Sequence, residues 1–301
     1  MNVLSLFDGI SCLHLALERA GIPVENYYAS EIKKHAIALT KHHFPETVHI
    51  GDIKKVHYKD GWLYFGEDQK IEVGKIDLMA GGSPCQDFSL LNVSYYHEYG
   101  LEGTKSGLFY EYLRLLKEVQ PKYWLLENVK MRKDSKAALD SYLGVEGVLI
   151  NSRDFSYQNR PRFYWTNIEI PPYEPRNISF QDYKDTDPEY CRQFKLKHTK
   201  LTERMWSDGK GKNNHQSCSN VTHADKVNCL LVRQYRCPNS GLVEFEDFCR
   251  FLTRHEIEQA QTLPPGYTDI LSWNQMQDVC GDGWTVDVIA HILSGISKEN
   301  S

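Results

Sequence analysis

Val3-Leu4-Ser5-Leu6-Phe7-Asp8-Gly9-Ile10-Ser11-Cys12-Leu13-His14 stands almost at the head of the chain, and its reading decides the fold. Val3–Phe7 is a short apolar run of strand length. A glycine follows, and Leu13–Ala20 then reads as a helix stopped by Gly21. The same alternation recurs downstream. Tyr27–Ser30 is strand-like, and Ile32–Phe44 reads as a helix with Ile32, Ala36, Leu39 and His43 near one face, closed by Pro45. Val48–Ile50 and Ile76–Ala80 read as strands, the latter running into Gly81-Gly82. Leu108, Tyr112, Leu115, Leu116 and Val119 form a helical stripe. Tyr123–Leu126 is strand, Ser135–Leu143 helix, and Val148–Ile150 and Arg162–Ile168 strands. Strands alternating with helices predict an α/β fold with a mostly parallel sheet covered on both faces. Sheets of that kind bind ligands beyond the carboxyl ends of their strands.

After Ile168 the pattern changes. Pro171, Pro172 and Pro175 mark a boundary, and the segment beyond is polar and irregular until a helix returns at Arg254–Thr262. Trp284–Leu293 reads as a last amphipathic helix. The chain as a whole carries a net charge of −5, which argues mildly against nucleic acid. Residues 192–236, however, hold 10 Lys/Arg against 3 acids, so a basic segment of +7 is joined to a body of −12. A length of 301 residues with 41% hydrophobic and 25% charged residues excludes disorder, collagen and coiled coil. No apolar run approaches the ~20 residues of a membrane helix. Met1 leads directly into the first strand, so no signal peptide is expected. The 8 cysteines form no close pairs, which predicts reduced thiols and no metal site.

The residues suited to chemistry collect at predicted strand ends. Gly9 lets backbone N–H groups approach a ligand at a helix N-terminus. Glu31 suits a ribose diol, and Asp52 could accept from an adenine amino group. Singly these are a glycine turn, a capping acid and a turn aspartate; together they describe a nucleoside pocket. Cys85 lies in Gly81-Gly82-Ser83-Pro84-Cys85-Gln86, where it is either a buried small hydrophobe or a nucleophile. Glu127, in Glu127-Asn128-Val129, is either a salt-bridged surface group or an acid raised by burial. Arg160 and Arg162 flank Pro161 before a strand, and a solvated turn is the plain alternative for them.

Phe7-Asp8-Gly9, Glu31, Asp52, Pro84-Cys85-Gln86, Glu127-Asn128-Val129 and Gln158-x-Arg160-x-Arg162, in that order, resemble the DNA cytosine-5 methyltransferases. Gly281-Asp282-Gly283-Trp284 followed by Val288-Ile289-x-His291 resembles the last motif of that family. The likeness is to compact phage and bacterial members and to the catalytic domain of the eukaryotic de novo enzymes. It implies a Rossmann-like sheet of the class I S-adenosylmethionine-dependent type, with a smaller irregular target-recognition domain. The implied division is 1–168 catalytic, 169–269 recognition, and 270–301 returning to the catalytic domain.

By the same resemblance, Cys85 adds to C6 of cytosine, Glu127 protonates N3, and Arg162 contacts O2 and helps hold the cysteine loop, with Arg160 supporting the architecture of the catalytic site. A stacked base is out of reach of such chemistry, so the target cytosine is expected to flip out of double-stranded DNA. S-adenosylmethionine, leaving as S-adenosylhomocysteine, is expected to meet Phe7, Asp8, Gly9, Ser11, Glu31, Ile32, Asp52, Ile53, Pro84, Leu108, Asp282 and Trp284. Gln86, Ser89, Lys210, Lys212, Arg233 and Arg236 are the expected DNA contacts. Leu13 stands where the family usually has glycine, and it is expected to reshape the loop near the methionine end of the cofactor. A monomer in the cytoplasm of a bacterial or phage-infected cell is expected, with a restriction endonuclease as a candidate companion. The competing readings are a catalytically silent DNA-binding relative and a tRNA cytosine methyltransferase. The second lacks its Cys-Phe-Thr signature in this chain.

Overall fold

A computed structural model of the chain describes residues 1–83, 107–197, 219–236 and 238–299. These fall into two compact units. The first contains Met1–Ile150, Pro161–Pro172 and the residues from Ile289 onward; the second contains Asn151–Arg160 and Tyr173–Val288. The division differs from the expected boundaries at 168 and 269. Residues 151–160 and 270–288 group together because their bonds are non-local. Gln158 Nε2 donates to the Ala260 carbonyl, and the Arg160 guanidinium donates to the carbonyls of Leu230, Gly281 and Gly283.

The first eleven strands, in chain order, are β1 (Asn2–Leu6), β2 (Asn26–Ser30), β3 (Val48–His49), β4 (His57–Lys59), β5 (Trp62–Phe65), β6 (Gln69–Glu72), β7 (Leu78–Gly82), β8 (Tyr123–Val129), β9 (Val148–Asn151), β10 (Gln158–Asn159) and β11 (Pro161–Thr166). Seven of them form the main sheet in the order β3-β2-β1-β7-β8-β11-β9. From β3 to β8 the pairs are parallel, and β11 runs antiparallel to β8. Strand order reverses between β1 and β7, which makes the carboxyl ends of those two strands the switch point of the sheet. Leu6 pairs with both Ser30 and Gly81, and Gly82 pairs with Glu127. Thus Glu31, Phe7, Gly82 and Glu127 occupy one level across four adjacent strands. Gly81 is required by this packing, since a Cβ there would sit 2.8 Å from the Leu6 carbonyl oxygen.

Alternating side chains bury both faces of the sheet. Leu4, Leu6, Tyr28, Met79, Trp124 and Leu126 share one core with Phe109, Tyr112 and Leu115 of α3 (Gly107–Val119) and Leu139 of α4 (Lys133–Leu143). The intervening Val3, Ala29, Leu78, Ala80 and Leu125 are buried on the other face. α1 (Cys12–Arg19) buries Leu13, Leu15, Ala16 and Leu17. In α2 (Lys34–His43), Ala36 and Leu39 are buried, but Ile32 precedes the helix and is 69% exposed, so it does not join the predicted apolar face.

The strands β4, β5 and β6 form an antiparallel meander that the sequence reading overlooked. Asp60 and Gly61 both have positive φ and connect β4 to β5 as a two-residue hairpin, the geometry favoured by Asp-Gly. Leu63 and Val73 fix the meander to the same core as α3.

Short strand pairs and helices make the second unit. β12 (Val227–Asn228) pairs with β10, and β13 (Val243–Glu244) pairs with β14 (Cys249–Arg250). The helices Arg254–Ala260 and Trp273–Asp282 each start with a complete capping box, Thr253 with Glu256 and Ser272 with Gln275. The helix Val286–Glu299 carries the chain back into the first unit. Arg250 and Glu256 are both 0% exposed and form a two-pronged pair at 2.7 and 2.8 Å. Burial alone would lower the Arg250 pKa, but the hydrogen bonds and charge of Glu256 outweigh it and raise it. Glu256 also accepts from the Thr253 and Asp185 backbone N–H groups, and Arg250 donates to the Asp185 carbonyl.

Arg250→Met leaves Glu256 buried without its cation and is expected to cost about 3–5 kcal/mol. Urea unfolding measures this. A loss of only about 0–1 kcal/mol, the size of a surface pair, would show that the pair does not hold the unit together.

Candidate active site

The turn after β1 is built around one carboxylate. Asp8 Oδ1 accepts from Ser5 Oγ at 2.6 Å and Tyr27 Oη at 2.7 Å, and Oδ2 accepts from Ser11 Oγ at 2.7 Å. Ser11 Oγ also lies 2.9 Å from Thr40 Oγ1, which adds α2 to the network. The anchored carboxylate accompanies a backbone of unusual shape, with φ of 57° at Phe7, 60° at Gly9 and 56° at Ser11. Side chains rarely adopt that region unless tertiary bonds hold it. Burial is the largest influence on Asp8 and pushes its pKa above the ordinary carboxylate value. The three hydroxyl donors oppose the rise and the charge of Glu31 adds to it.

Glu31, at the end of β2, locks the outer side of the same turn. Its Oε2 accepts from Gly9 N–H at 2.9 Å, while Oε1 accepts from the backbone N–H groups of Ile32 and Lys33 at 2.7 and 2.8 Å. Oε1 thus has both lone-pair sites filled, while Oε2 keeps one for a ligand hydroxyl. Beyond β3, Ser30 Oγ donates to the Gly51 carbonyl at 2.8 Å. Asp52 Oδ1 accepts from Lys54 N–H at 3.0 Å and thereby caps the 3-10 turn Ile53–Lys55. Ile53 is buried in the core below this turn, whereas Ile32 presents its side chain to solvent. The apolar surface beside Glu31 is thus supplied by Ile32.

At β8, Arg162 Nε lies 3.0 Å from Glu127 Oε1. Both side chains are about nine-tenths buried, with exposures of 11% and 10%. Antiparallel pairing of β11 with β8 brings the two together, since Arg162 is opposite Val129 and Tyr164 is opposite Glu127. Asn128 Nδ2 donates to Ser83 Oγ at 3.1 Å, and its Oδ1 accepts from Val129 N–H at 2.8 Å. Asn128 therefore ties β8 to the last described residue before Pro84. Its role, like those of Tyr27 and Thr40, was missed in sequence. The available signal was a small polar residue next to an apolar one inside a predicted element: Ser5 in β1 and Thr40 in α2, with Asn128 just past the predicted strand in β8.

The remaining expected site residues are distributed as follows. Leu108 packs against the core of the first unit from the first turn of α3. Arg160 is 3% exposed, and its bonds go to Cys229 Sγ and three backbone carbonyls. It is a structural clamp within the second unit. Asp282 and Trp284 lie in the second unit, Asp282 exposed at a helix end and Trp284 half-buried. Arg233 and Arg236 are exposed on one turn, with Arg233 at φ 58° and the Arg236 guanidinium over the Tyr235 ring. Leu13 is 1% exposed within α1, so its side chain is part of the core and not of a loop wall. Pro84, Cys85, Gln86, Ser89, Lys210 and Lys212 lie outside the described residues.

Comparison with known proteins bears on the whole arrangement. The family model for C-5 cytosine-specific DNA methylase matches residues 1–169. Orphan methyltransferase M.SPRI of Bacillus phage SPR is 34% identical over 181 residues, covering 56% of this chain and 38% of the phage protein. A second phage relative, M.Rho11sI of Bacillus phage rho11s, is likewise matched over only 32% of its length. Type II methyltransferase M1.ScrFI of Lactococcus lactis subsp. cremoris is 27% identical, covering 96% of this chain and 76% of that protein. Among solved structures, the Entamoeba histolytica methyltransferase EhMeth superposes with a TM-score of 0.75 at 16% identity, over 100% of this chain and 99% of the other. The S. pombe Dnmt2 methyltransferase gives 0.69 at 17% identity, over 100% of both chains. These two likenesses establish a shared fold.

The raised pKa of Asp8 has a consequence for stability. Its native form holds a proton more tightly than the unfolded chain does, so the Asp8 contribution is complete below the ordinary value of 3.8 and is lost as pH rises through the raised native value. The unfolding free energy of wild type relative to Asp8→Asn should decline as pH rises from 3.8 across that window. A difference that stays constant or grows with pH would contradict the assignment.

Proposed function

The chain belongs to the C-5 cytosine-specific DNA methylase family, and from that membership we propose that it methylates C5 of a cytosine flipped out of double-stranded DNA. The observation that carries the proposal is the Glu127–Arg162 pair at the carboxyl end of β8. Gly82, opposite Glu127 in the sheet register, stands three residues before Cys85 in the chain. A nucleophile, an acid and a cation so ordered suit addition to an electron-poor ring.

S-adenosylmethionine would supply the methyl group as a sulfonium and leave as S-adenosylhomocysteine. The residues at the ends of β1, β2 and β3 fit such a molecule. A Cβ added at Gly51 would meet nothing within 4 Å, and one at Gly9 would meet only the Phe7 carbonyl oxygen at 3.9 Å. Open space therefore adjoins the Glu31 carboxylate and the exposed Ile32 side chain. Glu31 would accept from ribose hydroxyls, Asp52 from an adenine amino group, and Ile32 would cover one ring face.

Cytosine C5 is a weak nucleophile. The Cys85 thiolate forms a bond to C6, and Glu127 delivers a proton to N3 as negative charge develops there. Arg162 draws charge onto O2. The resulting enamine carbon C5 takes the methyl group. N3 returns its proton to Glu127, a base removes the C5 proton, the C5–C6 double bond re-forms, and Cys85 leaves as thiolate. Arg233 and Arg236, on their exposed turn, suit contacts to phosphates. No helix among the described residues is long and apolar enough to cross a membrane.

Mixed-sequence DNA containing 5-fluorocytosine tests the scheme, because fluorine at C5 blocks the final elimination. Wild type with S-adenosylmethionine should form a covalent complex that survives denaturation, and Cys85→Ala should form none. Glu127→Gln should lower methyl transfer about 10²- to 10⁴-fold. A Cys85→Ala protein that still forms the adduct, or a wild type that never does, would refute the mechanism.

A further inference from the structure

Arg114 lies on α3 and has no assigned part in the reaction, yet its side chain holds the turn that follows Asp52. One terminal nitrogen, Nη2, donates to the carbonyl oxygens of Ile53 at 3.2 Å and Val56 at 2.8 Å. The other, Nη1, donates to Glu118 Oε1 at 2.7 Å and reaches His57 Nδ1 at 3.1 Å. Nε donates to Glu111 Oε2 at 2.9 Å. Glu118 extends the same link by accepting from the Tyr58 backbone N–H at 2.9 Å. Every nitrogen of the guanidinium is therefore engaged, and the planar fork is aimed by acids one helical turn to either side.

The clamped segment has little internal support. Within Ile53–Val56 the backbone contributes Lys55 N–H to the Asp52 carbonyl at 2.9 Å and Val56 N–H to the Ile53 carbonyl at 3.1 Å, which are 3-10 bonds of modest geometry. Asp52 Oδ1 caps the start of the turn, and Arg114 binds its end. The Asp52 side chain stands at the hinge between Gly51, at φ 74°, and this turn.

We infer that Arg114 is a positioning residue for the cofactor: by clamping the Ile53 and Val56 carbonyls to α3 it fixes the Asp52 turn against which the adenine of S-adenosylmethionine would bind. The inference rests on the cofactor assignment made under the proposed function. It differs from a general structural role in what it predicts. Loss of the clamp loosens one wall of the cofactor site and leaves the groups that act on cytosine in place. Lysine cannot replace the fork, since a single ammonium cannot bond two carbonyls and two carboxylates at once.

The test combines calorimetric titration of S-adenosylmethionine into wild type, Arg114→Lys and Arg114→Gln with steady-state methyl transfer and thermal melting. Arg114→Gln should weaken cofactor binding by about tenfold, the worth of a hydrogen bond or two. Arg114→Lys should fall between it and wild type. The turnover number at saturating cofactor should stay within about twofold, because uniform binding, not transition-state stabilisation, is removed. The KM for DNA should not move. Equal cofactor affinity in all three proteins would overturn the inference while leaving the cofactor assignment intact. So would a parallel loss of affinity, turnover and melting temperature in both variants. A wild type that binds no S-adenosylmethionine would overturn the cofactor assignment itself, and this inference with it.

Discussion

The Asp8 carboxylate, held below the surface by the hydroxyls of Ser5, Ser11 and Tyr27, is the constraint on which the site geometry depends. Its donors come from β1, the start of α1 and β2, so one buried group sets the spacing of three elements. Burying a carboxylate is unfavourable unless it is bonded, and here the bonds also hold the left-handed backbone at Phe7, Gly9 and Ser11. With the turn in that shape, the Gly9 N–H faces Glu31. Glu31 in turn fixes the exit of β2. The row of Glu31, Phe7, Gly82 and Glu127 follows from sheet register once this corner is set.

Much of this architecture could be read from local sequence. Apolar runs of strand length, glycine stops and helical stripes are short-range signals, and the strands and helices of the first unit follow them closely. The meander β4–β6 was equally local but went unread, although Asp60-Gly61 between Tyr58 and Trp62 is a hairpin signal. The boundaries of the two units were not legible. They depend on Gln158 and Arg160 bonding to residues 70 to 123 positions away, and no periodicity records such partners. Among the strand-end residues, Glu31, Asp52, Glu127 and Arg162 were legible by type and position. Their supports, Tyr27, Thr40, Asn128 and Arg114, were not, because each looks like an ordinary strand or helix residue until its partner is known.

Charge shows the same limit. The basic segment 192–236 supplies four of the expected DNA contacts, but its cations have different fates. Lys226 Nζ donates to the carbonyls of Arg153, Ser156 and Ile178, so it is an internal strut. Arg192 pairs with Asp247 in an exposed bridge of little energetic weight. Arg233 and Arg236 stay on the surface. Arg250 and Glu256, just beyond the segment, are fully buried despite their charge. Net charge along the chain therefore overstates the positive surface available to a polyanion.

The first unit is assembled from three stretches of chain, the last of them the segment beginning at Ile289. Ile289, Ile292, Leu293 and Ile296 are all buried there, so the apolar interior of that unit is incomplete until these residues are present. On the ribosome, the segments through Pro172 emerge well before the piece that finishes their core. Vectorial synthesis, which favours proteins folded domain by domain from the N-terminus, gives this chain no such head start. A nascent chain must keep that unfinished apolar interior from aggregating while more than 100 further residues are translated.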